Sequence, residues 1–256
     1  MAKQVGIIQF NGALGETIGA PSMKGYQVIK KRPVAVTNPN TLKQRKQRTK
    51  FSAAVATASG VPVRALAGLR PYSKAVKCSI RNAFSKELLD REVFDFLPAD
   101  LNSSPNLATH ANYNRAVFSR GPVQLPVFGS AMFDIPETIT VDVRSFPEAM
   151  DTRLCNIIAV VYIEGHEADG SESAYIVKSY PCRVNGSDIS NIAIPIPSLY
   201  NGMKANVWLY VQSMENEADM NSLYEATQWN ATSDLNILES KAQYSNTYYA
   251  GRGDLG

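Results

Sequence analysis

The chemistry this chain is equipped for is carried by cations. Lys30, Lys31 and Arg32 follow one another, and Lys43, Arg45, Lys46, Arg48 and Lys50 recur soon after. Ammonium and guanidinium groups at that density neutralise phosphates or pair with carboxylates; alone they break no bond. The side chains of nucleophilic or metal catalysis are sparse by comparison. There are two histidines, His110 and His166, and no G-x-S-x-G elbow, so a general base has few candidates. Cys78, Cys155 and Cys182 form an odd set without a C-x-x-C pair. That suits neither a disulfide framework nor a structural zinc site. Glu167, Asp169 and Glu172 share one polar loop but lack the ligand count and spacing of a calcium loop. Arg252-Gly253-Asp254 spells an integrin-binding tripeptide, and a flexible terminus is the expectation there. No catalytic residue, metal site or cofactor is expected.

The cations need a scaffold. Asn38 is a good N-cap and Pro39 suits the first helical position, so a basic helix is expected to run to about Ser59, before Gly60 and Pro62. Phe51, Ala54, Val55 and Ala58 recur at helical spacing. Leu42, Phe51 and Val55 are the expected docking anchors, with the cations on the other faces. Val63 to Leu69 begin another helical turn. A helix restarting at Pro71 is expected to continue to about Leu89 through Val76, Ile80, Phe84 and Leu88. Before the basic helix, residues 3–10 and 26–36 read as strands, separated by a loop punctuated by Gly12, Gly15, Gly19 and Gly25.

Charge divides along the chain. Residues 1–91 hold 17 Lys/Arg against three acids, a balance of +14; residues 92–256 hold nine against 20, a balance of −11. The asymmetry points to a polyanionic partner for the first half or to contact between copies. The longest apolar run, Ile157 to Ile163, is too short to span a membrane, and the opening MAKQVGIIQFNGALG gives no expectation of an export signal.

Beyond the Pro- and Asn-rich stretch at 94–114, the period turns to two. Strands are expected at 116–118, 138–144, 155–164, 174–184, 189–196, 205–212 and 244–249, with a hairpin loop at 165–170. Short strands at regular spacing imply an immunoglobulin-like antiparallel β-sandwich. The expected fold is α+β: a basic arm and helical unit over 1–112, then the sandwich over 113–256.

Gly19, Lys24-Gly25, Arg32-Pro33, Asn38-Pro39, Thr41, Gln44, Arg48, Lys50 and Phe51 stand in an order that resembles an uncharacterised family common in Bacteroidota and their phages. Tyr113–Pro122, YNRAVFSRGP, resembles the family's strand ending in S-R-G, and Tyr244–Gly251, YSNTYYAG, resembles its usual ending. Met23 stands where the family's arm carries Trp, and the polar stretch from Met214 to Ser240 is long. The related N-P-x-T-x-x-Q-x-x-x-R segment also resembles one in small structural proteins of tailed phages. The resemblance implies a non-enzymatic virion protein of capsid, neck or tail, assembled in the host cytoplasm. Its partners would be other copies of itself and other virion proteins. A nucleic-acid-binding packaging protein using the basic half, and a bacterial surface or adhesion module, are the alternatives.

Overall fold

A computed structural model describes residues 2–4, 12–14, 17–21, 27–31, 40–102, 110–135, 137–147, 154–165, 174–182, 190–214, 219 and 241–255. The chain divides into two compact units, 1–44 and 45–256. In the first, β1 (Ala2–Gln4), β2 (Gly12–Leu14), β3 (Thr17–Pro21) and β4 (Gln27–Lys31) form an antiparallel sheet ordered β1-β4-β3-β2. The segments 5–10 and 32–39, which include the expected cap at Asn38 and Pro39, lie outside the described residues.

The division falls within α1 (Leu42–Gly60). Thr41 Oγ1 accepts from the Gln44 backbone N–H at 3.3 Å, which satisfies one of the free donors of the first turn. Thr41 and Gln44 stand at the spacing of a capping box. A 3₁₀ stretch, Val63–Leu69, leads into α2 (Arg70–Ala75) and α3 (Ile80–Asp90). The single helix expected from Pro71 is broken: Lys77 is left-handed at φ 54, and Ser79 caps α3 by accepting from Asn82 N–H at 3.2 Å. The apolar stripe runs across the break because both helices bury the same side, so periodicity alone does not reveal it.

Two antiparallel sheets complete this unit, giving a mixed α+β fold. β5 (Val127–Ile135), β6 (Thr138–Ser145) and β9 (Asn191–Pro195) form one, ordered β5-β6-β9. The other is β8-β7-β10-β11, from β7 (Leu154–Ile163), β8 (Tyr175–Cys182), β10 (Lys204–Met214) and β11 (Gln243–Tyr244), with β12 (Tyr248–Asp254) also on β10. The expected strand at 116–118 is irregular backbone: Ala116 N–H closes a turn on the Tyr113 carbonyl, and Phe118 N–H donates to a side chain described below.

Burial explains the patterning. Ile157, Ala159 and Val161 of β7, with Val207, Leu209 and Val211 of β10, join Ile139, Val141, Ile192 and Ile194 in a core shared by the two sheets. Ile158, Val160, Trp208 and Tyr210 face the opposite way and pack with Ala54, Ala58, Leu66, Leu69, Phe84 and Leu88 of the helical layer. Strands covered on both sides read as continuous apolar runs, whereas β6 and β9 bury only alternate residues. Cys155 and Cys182 are directly paired across β7 and β8, both buried and neither in a disulfide. Burial pushes the Cys182 thiol up to about 12. No single helix among the described residues is long and apolar enough to cross a membrane.

Candidate functional site

The two later motifs singled out in the sequence meet in space. Residues 118–123 run beside the Tyr244–Thr247 turn. The N–H groups of Phe118 and Ser119 both donate to Thr247 Oγ1, at 2.9 and 2.8 Å. Thr247 Oγ1 donates back to the Ser119 carbonyl at 3.2 Å. Ser119 Oγ donates to the Ser245 carbonyl, and Val123 N–H donates to the Tyr244 carbonyl at 3.0 Å. Ser245 Oγ in turn accepts from Val211 N–H at 2.7 Å. One hydroxyl therefore satisfies two buried amides that no strand pairs. Thr247→Val should cost about 2 kcal/mol in denaturant unfolding, and Thr247→Ser much less, because valine strands both donors.

Beside this junction lies a polar cleft of about 590 Å³, lined among others by Arg91, Asn114, Arg115, Arg120, Asn246 and Tyr249. Arg91 follows the last turn of α3, Arg115 ends a short turn (Tyr113–Arg115), and Arg120 lies on the junction strip. Arg120 is fixed by three contacts. Its backbone N–H donates to the Gly68 carbonyl at 3.1 Å, its guanidinium lies over the Tyr72 ring at 5.0 Å, and Nη2 is 2.7 Å from Glu87 Oε2. Arg91 Nε lies 3.9 Å from the same oxygen. Glu87 is 1% exposed, and neither of its oxygens has a well-aligned hydrogen bond among the described residues. Burial raises its carboxyl above the ordinary value, with Arg120 and Arg91 pulling the other way. Tyr249 carries the cleft into a second network: its Oη donates to Asn206 Oδ1 at 2.9 Å, and Asn206 Nδ2 donates to Glu164 Oε1 at 2.6 Å. A second cleft of about 450 Å³ meets Gly121 and Pro122 and carries Arg70, Lys74 and Lys241.

The residues expected from sequence as contacts lie elsewhere. Lys30 is in β4, Lys31 is exposed at its end, and Arg32 is outside the described residues. On α1, Lys43 and Arg48 are exposed and Arg45 is half-buried. Lys46 and Lys50 reach Asp95 Oδ1, at 2.8 and 3.5 Å, and the Lys46 hydrogen bond holds the Asp95 carboxyl below its usual value. The core face of α1 is Ala53, Ala54 and Ala58, while Leu42, Phe51 and Val55 are 48%, 57% and 40% exposed. Phe51 and Val55, expected at the same helical spacing as Ala54 and Ala58, thus point away from the core. Among the described residues, no cluster of His, Cys, Asp and Glu could hold a metal ion; residues 166–173 lie outside them. His110 Nδ1 is 3.7 Å from Asp100 Oδ2, with its ring 5.3 Å from that of Phe96.

The tripeptide 252–254 is not a flexible terminus. It lies in β12, paired with Lys204, Ala205 and Asn206. Arg252 makes a two-pronged ion pair with Glu164, and a side chain at Gly253 would overlap the Phe133 ring. Extended backbone and a committed arginine leave no loop-presented ligand there.

Residues 9–226 match the model of a family of unknown function, DUF6266. The chain belongs to this family. No curated protein and no solved structure matches it significantly. The family match spans both the basic helix and the Tyr113–Pro122 strip, and stops short of the Tyr244–Thr247 turn that closes the cleft. Sequence reasoning named neither Arg91, Arg115, Arg120 nor Asn246. The motifs at 113–122 and 244–251 were the available signal, but nothing in their spacing shows that they meet.

Proposed function

We propose that the protein is a non-enzymatic structural component of a bacteriophage virion, acting in many copies through protein–protein contacts. The observation that carries this reading is the outward face of α1. Phe51 and Val55 stand one turn apart, large, apolar and exposed, with Arg48 nearby on the same helix. Apolar side chains grouped on one exposed helix face suit a partner surface. The charge balance of +14 against −11 favours a second copy as that partner, its acidic half meeting the basic helix. Lys46 and Lys50 already share Asp95, which leaves the helix less suited to tracking phosphates than to docking on protein. The phage assignment rests on the motif resemblance of residues 19–51, 113–122 and 244–251.

The finer architecture supports the same reading. We read β5-β6-β9 and β8-β7-β10-β12 as an immunoglobulin-like sandwich carrying an extra helical layer; the hairpins β5–β6 and β7–β8 and the core shared by the two sheets support this. Such sandwiches present edges and loops to neighbours while the core stays fixed.

Light scattering at low salt tests the proposal. The wild-type chain should form multimers, and Phe51→Glu or Arg48→Glu should shift it to monomer with unchanged circular dichroism. A wild-type chain that stays monomeric at high concentration overturns it.

A further inference from the structure

We propose that the cleft beside the 118–123 strip is a binding site for a phosphate-bearing ligand, with Arg115, Arg91, Arg120 and Asn246 as its donors. The site does not depend on the assembly reading. Arg120 Nη2 lies 2.7 Å from one oxygen of the buried Glu87 carboxylate and Arg91 Nε 3.9 Å from the same oxygen, so neither fork is consumed. A guanidinium presents several N–H donors in a plane, and a single carboxylate oxygen occupies few of them. Arg115 lines the same cleft, is exposed, and has no ion-pair partner among the described residues. Three guanidiniums and one carboxylate leave a local charge of +2, close to the roughly −1.5 to −2 of a phosphomonoester at neutral pH. Asn114 and Asn246 add neutral donors at the rim. A planar carboxylate has two oxygens for this set, whereas a phosphate offers three and carries the matching charge.

The space argues for a ligand larger than phosphate alone. A volume of about 590 Å³ lies within the usual range for small-molecule sites, roughly 300–1,000 Å³. Ala116, Val117 and the ring of Tyr249 supply its apolar surface, against which the carrier of the phosphate can lie. Tyr249 is held by its hydrogen bond to Asn206 and by a tilted contact with the Trp208 ring, centroids 5.7 Å apart, which fixes that wall.

Calorimetric titration of the full chain at constant ionic strength tests the site, with inorganic phosphate and adenosine monophosphate as probes. Saturable binding of at least one probe is expected. Arg115→Ala should weaken it at least tenfold without moving the thermal midpoint, since the Arg115 side chain makes no described hydrogen bond or ion pair and its backbone N–H bond to the Asn112 carbonyl is kept. Arg115→Lys should recover part of the affinity, as a point charge without the fork. Tighter binding of the nucleotide would mean that the cleft also reads the carrier; equal binding would mean that it reads the phosphate group alone. Absence of binding by both probes, or binding that survives Arg115→Ala, overturns the proposal.

Discussion

Arg120→Ala should be among the most damaging single substitutions in the chain, costing about 3–5 kcal/mol at neutral pH, because it leaves a buried carboxylate without its main partner. Glu87 is 1% exposed, and Arg120 is its close contact, with Arg91 farther off at 3.9 Å. Even with both cations present, burial holds the Glu87 carboxyl above 4.5, its ordinary value. A carboxyl raised by folding binds its proton more tightly in the native state than in the unfolded chain. Its contribution is therefore most favourable at low pH and is lost as pH rises through the native value. Removing Arg120 takes away the larger opposing influence and pushes the carboxyl further up. The deficit of the variant should thus shrink as pH falls from about 7 toward 4.5, where Glu87 can take up a proton instead of standing as a lone anion. Glu87→Gln in the Arg120→Ala background should recover most of the loss. Urea unfolding at several pH values measures all of this. A deficit independent of pH, or a double variant no better than the single one, would show that the Arg120 side chain acts through the Tyr72 ring rather than through Glu87.

How much of this was legible in the residues depends on how local each signal is. β7 and β10 stand out because both faces are covered and their central positions, 157–163 and 207–211, are continuously apolar or aromatic. β6 and β9 stand out because one face is covered and alternate positions are. β5 is not visible in the same way: its register with β6 shifts between Val127 and Phe128, between Phe128 and Ala131, and again between Met132 and Ile135. Each shift resets the alternation that a period-two reading relies on. Within α1, the stripe read at Phe51, Ala54, Val55 and Ala58 mixes two faces, because small alanines pack against the sheet while the larger residues face outward. Thr41 and Gln44 were visible as motif letters, yet their meaning as a cap signature requires knowing that the helix begins at Leu42. The cleft is the least local feature. Arg91, Arg115 and Arg120 come from a helix end, a turn and an irregular strip. They are brought together by Glu87 and by hydrogen bonds across more than a hundred residues of sequence.

Gly121→Ala should abolish folding or cost about 3 kcal/mol or more, beyond the usual penalty for overpacking, because the obstacle is backbone rather than a side chain that can turn aside. A Cβ on Gly121 would overlap the Tyr244 carbonyl oxygen and would lie 2.6 Å from its carbon and 3.2 Å from Tyr244 Cα. That same carbonyl accepts the Val123 N–H, and Val123 forms a bridge with Ser245, so the two strands cannot separate without losing the junction. Tyr244 is itself buried, and its hydroxyl accepts from Gln212 Nε2 at 3.1 Å, which anchors the turn from the other side. The damage should spread to the cleft, since Ser119, Arg120 and Thr247 are set by the same strip. Gly60→Ala is the control: nothing lies within 4 Å of a Cβ there. At the end of α1 the added methyl should be neutral or stabilise by about 0.5–1 kcal/mol, through the entropy glycine gives the unfolded chain. Thermal unfolding of the two variants should therefore move in opposite directions from the wild type. A Gly121→Ala protein as stable as the Gly60→Ala one would mean that the 118–123 strip does not press on the Tyr244 backbone, and the cleft beside it would lose the support that positions Arg120.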